Sequence, residues 1–143
     1  VRYSPDGQSI VFTSGVDLRD ANTWEIVLYD LQTKQKTLLT QNDIRDSSPS
    51  FSPDGEQILF ITTIGDDTAV ANMNLEGTDR HILYDGVGNE WAASYSLDGQ
   101  FIVVTSNVDG QEQLFLMEAD GSNVQQITSA GGAYASWIPE ISD

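Results

Sequence analysis

The sequence predicts an all-β chain of about three repeated four-stranded antiparallel units, and three observations lead there. A ten-residue phrase occurs three times: YSPDGQSIVF at 3–12, FSPDGEQILF at 51–60 and YSLDGQFIVV at 95–104. Each phrase is followed by two more short runs rich in branched and aromatic residues, set apart by polar turns. Runs of that length and composition between turn residues are how strands are written. No window carries apolar residues at helical spacing between helix caps.

The elements follow in order. The Asp-Gly corners begin at Asp6, Asp54 and Asp98, which stand 48 and 44 positions apart. Such a period is the mark of a repeat architecture. In each unit a first segment ends in an aromatic and a serine (VRYS, PSFS, ASYS), and the corner follows. A second strand is predicted in SIVFTS, QILFITT and FIVVTS, a third in EIVLYDL, TAVANMNL and EQLFLMEA, and a fourth in KTLLT, HILYD and VQQIT. The units take approximately residues 1–46, 47–90 and 91–132. Residues 133–143, with Trp137 placed 42 positions after Tyr95, open a further one. The first unit carries a longer second loop, GVDLRDANTW, and the second lacks the usual aromatic in its third strand.

The corner residues explain the repeated phrase. Proline presets φ for the first corner position, Asp bonds nearby amides, and Gly takes the left-handed conformation that returns the chain. Asp6–Gly7, Asp54–Gly55 and Asp98–Gly99 are therefore read as structural turns, not as a triplicated catalytic acid. The third copy has Leu97 where the others have Pro5 and Pro53, so the Asp-Gly pair is the essential part and the proline a stiffener.

Small stacked four-stranded sheets form β-propellers. The pattern aromatic-Ser-Pro-Asp-Gly-x-x-Ile-x-Phe-x-Ser resembles the TolB-type, or PD40, propeller repeat, and residues 95–128 are its fullest match. A WD40 repeat is disfavoured by the absence of a Trp-Asp pair. The resemblance implies a propeller segment of about three blades plus the first strand of a fourth, half of the six blades usual for such relatives. The chain does not begin with Met and is read as trimmed or incomplete. An open propeller exposes sheet faces, so further blades are expected from the rest of a longer chain, a second copy or another subunit. The resemblance also implies a non-catalytic, protein-binding scaffold in the bacterial periplasm or outside the cell. The alternatives are an accessory propeller of a prolyl-oligopeptidase-like hydrolase and a structural subunit of a larger complex.

Composition narrows the partners. With 22 acidic residues against 6 Lys and Arg, the formal net charge is −16, which repels nucleic-acid phosphates and anionic headgroups. No apolar run is long enough for membrane insertion by a helix. Cysteine is absent, so disulfides and thiolate metal sites are excluded. There is no Gly-x-Ser-x-Gly elbow, phosphate-binding loop or dinucleotide fingerprint. The one histidine, His81, falls in an outer strand and is read as a surface residue. No cofactor is expected, with Ca²⁺ as a weak exception.

A meander sorts its loops by face. The connections after second and fourth strands collect Asp17, Asp20, Asp43, Asp46, Asp66, Asp67, Asp85, Glu90, Asp109 and Glu112, opposed by Arg19 and Arg45. Aligning the units on the aromatic before the corner makes Asp46 equivalent to Glu90. Both precede an innermost strand and are expected at a channel mouth. The candidate partner-binding funnel is Asp46, Glu90, Trp91, Tyr134, Arg45 and Trp24. Asp46 and Glu90 are the weak Ca²⁺ candidates, and a basic protein partner is the expected ligand.

Overall fold

The structure, a computed structural model, describes residues 1–15, 23–133, 135 and 137. Twelve strands form three four-stranded antiparallel sheets among these residues, each in simple meander order. The first sheet contains β1 (Arg2–Tyr3), β2 (Ser9–Gly15), β3 (Trp24–Asp30) and β4 (Lys36–Leu38). The second contains β5 (Asp46–Phe51), β6 (Gln57–Ile64), β7 (Asp67–Asn74) and β8 (His81–Tyr84). The third contains β9 (Asn89–Tyr95), β10 (Phe101–Val108), β11 (Gln111–Glu118) and β12 (Gln125–Gln126). The described residues include no α-helix. The all-β blade architecture is as expected; Asp46 is the first residue of β5 and Glu90 the second of β9. Half of the expected opening strand of a further unit, 133–138, lies outside the described residues.

Two apolar seams join the sheets. In the first, Val11, Ile26 and Leu39 meet Ile58, Phe60, Ala71 and Met73. In the second, Leu59, Ile61 and Val70 meet Ile102, Val104, Phe115 and Met117. Successive side chains of a strand point to opposite faces, so β6 sends Ile58 and Phe60 one way and Leu59 and Ile61 the other. That is why its sequence reads as a continuous apolar run: the middle sheet is covered on both sides. The first strands β1, β5 and β9 pack against one another, and the sheets converge there.

The repeated corners are built alike. In the second, the Ser52 hydroxyl and the Glu56 amide both donate to Asp54 Oδ1, at 2.5 and 3.0 Å, while the Gln57 amide donates to Ser52 Oγ at 2.9 Å. The same bonds recur at Ser4–Asp6 and Ser96–Asp98. These donors hold all three carboxyls below the usual carboxylate range. Gly55 has φ of 78°, conformational space that its missing Cβ leaves open. The corners also stack: Pro5 lies against Gly55, and Pro53 against Gly99. Leu97, in the same place on the third corner, is 59% exposed.

A second kind of inter-sheet contact was not read from the sequence. Gly77, in the β7–β8 turn, lies against the Leu39 backbone carbonyl of the preceding sheet, and Gly121 lies likewise against Leu83. The threonines that end the fourth segments are structural as well. Thr40 Oγ1 accepts the Ile26 amide and Thr128 Oγ1 accepts the Leu114 amide, each at 2.9 Å.

Candidate functional site

The convergent first strands leave a groove of about 590 Å³. Its walls include Trp24 at the start of β3, Arg45 before β5, and Trp91 in β9. Three candidates named from sequence are thus brought together. The Arg45 guanidinium carbon lies 4.7 Å from the centre of the Trp24 ring, within cation–π range.

Local irregularities aim the walls. The β5–β6 register shifts between Ser47 and Ser50, and Ser48 adopts φ of 53°. The β9–β10 pairing passes from Thr105↔Ala92 to Ser106↔Glu90, which leaves Trp91 as the extra residue of a bulge. Bulges re-aim side chains in this way. Ser48 Oγ donates to the Trp91 carbonyl at 3.1 Å and ties the two irregular strands together. Trp24 Nε1, Arg45 Nε and Ser50 Oγ are buried with no hydrogen-bond partner among the described residues, and all three residues line the groove.

Asp46 and Glu90 are elsewhere. Both are buried in the seams behind the groove, with residue exposures of 0% and 1%, and neither lines it. Asp46 lies at the upper end of the first seam. Its Oδ1 receives Arg80 at 3.1 Å and its Oδ2 receives Asn42 Nδ2 at 2.8 Å; Arg80 also donates to Thr62 Oγ1. Glu90 occupies the same place in the second seam. Its Oε1 accepts from Ser106 Oγ at 3.2 Å, and its Oε2 has no partner among the described residues. Burial, reinforced by Asp85 and Asp67, pushes its carboxyl above the usual glutamate range.

The expected acidic channel mouth is therefore corrected at these two positions. A carboxylate at the start of an inner strand turns inward, where the next sheet covers it. No group of three or more acidic or histidine residues able to hold a metal occurs among the described residues, and Asp46 is already engaged by Arg80. Among the described residues the groove wall carries Arg2 and Arg45 and no acidic residue. The exposed acids Asp43, Asp66, Asp85 and Asp109 belong to loops, and Asp67 and Glu112 stand at the starts of β7 and β11. Asp17, Arg19, Asp20 and Tyr134 lie outside the described residues. His81 sits on the outer strand, its side chain 64% exposed and bonded to Asp79 at 3.0 Å.

Arg80 escaped sequence reasoning. It stands before an outer strand, beside Asp79 and His81, where nothing marks it as the partner of a residue 34 positions earlier. The signal was present only by comparison of units, since the same position holds Lys36 in the first and Val124 in the third.

Three stacked meander sheets converging on their first strands define a β-propeller segment. The chain belongs to the PD40 family, described as the TolB beta propeller domain, which matches residues 1–142. It is 25% identical to the uncharacterized protein Atu1656 of Agrobacterium fabrum, over 96% of this chain and 50% of that one. It is 35% identical to the Tol-Pal system protein TolB of Nitrosomonas europaea, over 50% of this chain and 16% of that one. The chain thus spans half or less of these relatives. TolB of Acinetobacter baumannii superposes with a TM-score of 0.76 at 20% identity, covering 90% of this chain and 32% of that one. The propeller domain of the Trilobed protease of Pyrococcus furiosus superposes with a TM-score of 0.63 at 17% identity, covering 88% and 40%.

Proposed function

We propose that this propeller segment is a non-catalytic scaffold that binds a protein partner in the groove lined by Trp24, Arg45 and Trp91. One observation carries the reading: Trp24, Arg45 and Trp91, from three separate segments, line a single groove of about 590 Å³. An extended partner segment fits a groove of this kind. Two tryptophans and an arginine supply the side chains that dominate recognition hot spots. The loops around the groove carry exposed acids, so basic residues flanking the inserted segment complete the complementarity. The likeness to Tol-Pal system proteins supports a location in the bacterial periplasm. The reading includes further blades, from the same chain, a second copy or another subunit, beside these three.

The test is site-specific photo-crosslinking with the full protein in a periplasmic extract of its source. A crosslinker at position 91 is expected to trap a discrete protein, and one at His81 is not. Arg45→Ala should then weaken the purified partner at least tenfold. Equal trapping at both positions, or unchanged affinity, overturns the reading.

A second reading has one observation in its favour, the likeness to a protease's propeller domain. There the segment is an accessory to a catalytic domain. Peptidase activity in the full protein that a serine-directed reagent abolishes decides for it.

A further inference from the structure

The same place in two neighbouring seams holds a buried acid, and among the described residues only one of the two has a cation. Register establishes the equivalence. Arg80 precedes His81, which pairs with Asn72, two residues before the end of β7; Val124 precedes Gln125, which pairs with Leu116, two before the end of β11. Val124 therefore stands where Arg80 stands, and has no charge to offer Glu90.

The described surroundings of Glu90 are neutral or acidic. From β8 comes Tyr84, whose hydroxyl is pushed up by burial and by Glu90. The connection after β8 brings Asp85, and the start of β7 brings Asp67. From β10 comes Ser106, which, with Glu90's own amide, is the donor that reaches the carboxyl. Thr68 Oγ1 donates to the Glu90 backbone carbonyl at 2.6 Å, so β7 is tied to this residue as well. No salt bridge reaches Glu90 among the described residues.

We propose that Glu90 is a proton-operated latch in the second seam. With the proton on, a neutral carboxyl fits the seam. When the proton leaves to solvent, a carboxylate remains between two sheets, facing Asp67 and Asp85 with no cation, and the seam loosens. Glu90 adjoins the bulged Trp91, so the latch sets the position of a groove wall. That consequence for partner binding rests on the groove reading above; the titration does not, and the two fail separately.

The experiment is chemical unfolding of the full protein between about pH 5 and about pH 8. The folded state holds the Glu90 proton more tightly than the unfolded chain, so stability falls as pH rises past the ordinary glutamate value of about 4.3. Glu90→Gln is expected to abolish that fall. Val124→Arg supplies the missing guanidinium and is expected to lower the unfolding constant about tenfold near pH 8, with little effect near pH 5. A slope shared by wild type and Glu90→Gln overturns the proposal. Should Glu90→Gln fail to fold, ¹³C spectra of the glutamate carboxyls in the wild type decide. One resonance titrating well above the rest supports the latch, and none doing so overturns it.

Discussion

Arg80 reaches back 34 positions to Asp46 and closes on its fully buried carboxylate at 3.1 Å. On the way its guanidinium carbon lies 5.0 Å from the centre of the Phe60 ring. An outer-strand residue thus neutralises a charge at the inner end of the same sheet. Removing one partner of a buried pair strands the other charge. Arg80→Ala is expected to cost about 3 kcal/mol, the low end of the usual range because the arginine side chain is 30% exposed. Adding Asp46→Asn should restore part of the loss, which urea unfolding of the double variant measures.

The corners govern the acid limit. Ser4, Ser52 and Ser96 and the following amides stabilise the ionised forms of Asp6, Asp54 and Asp98. A carboxyl lowered in the folded state contributes stability above its unfolded pKa, and that contribution is lost as pH falls through the folded value. Thermal unfolding should therefore shift steeply downward below about pH 3.9. Replacing all three by Asn keeps an acceptor oxygen in each corner and removes the titration. The acid limb should flatten, as melting curves at stepped pH will show.

Gly77 and Gly110 separate two costs. Both have positive φ, 76° and 81°. A Cβ on Gly77 would run into the Leu39 backbone carbonyl, whereas one on Gly110 meets nothing within 4 Å. Gly110→Ala should cost about 1 kcal/mol, the backbone strain alone. Gly77→Ala must also push two sheets apart and should cost distinctly more. Equal losses in denaturant midpoint would show that the turn does not seat against the neighbouring sheet.

Leu97 invites the opposite change. The Gly99 amide donates to the Ser96 carbonyl at 3.0 Å, as Gly55 does to Ser52 at 2.9 Å, where the intervening residue is Pro53. Proline at a compatible position restricts the unfolded chain. Leu97→Pro is expected to stabilise by about 0.4–1 kcal/mol, read from the unfolding midpoint.

Legibility followed the range of the chemistry. Ser-Pro-Asp-Gly closes its bonds within six residues, so the corners could be read letter by letter, and with them the period and the strand order. Trp24, Arg45 and Trp91 were legible as a set because a meander returns their segments to the same end. The environments of Asp46 and Glu90 were not. At an inner-strand start, solvent and seam are one pleat apart, and a bulge decides between them.

The repeat alone determined that this chain is a series of four-stranded blades, because corner chemistry and strand alternation act between neighbours along the polypeptide. Only the stacking of the sheets decided which acids lose their water. Arg80 meets Asp46, while Val124 leaves Glu90 without a counterion, because burial and pairing depend on what the adjacent sheet brings across a seam.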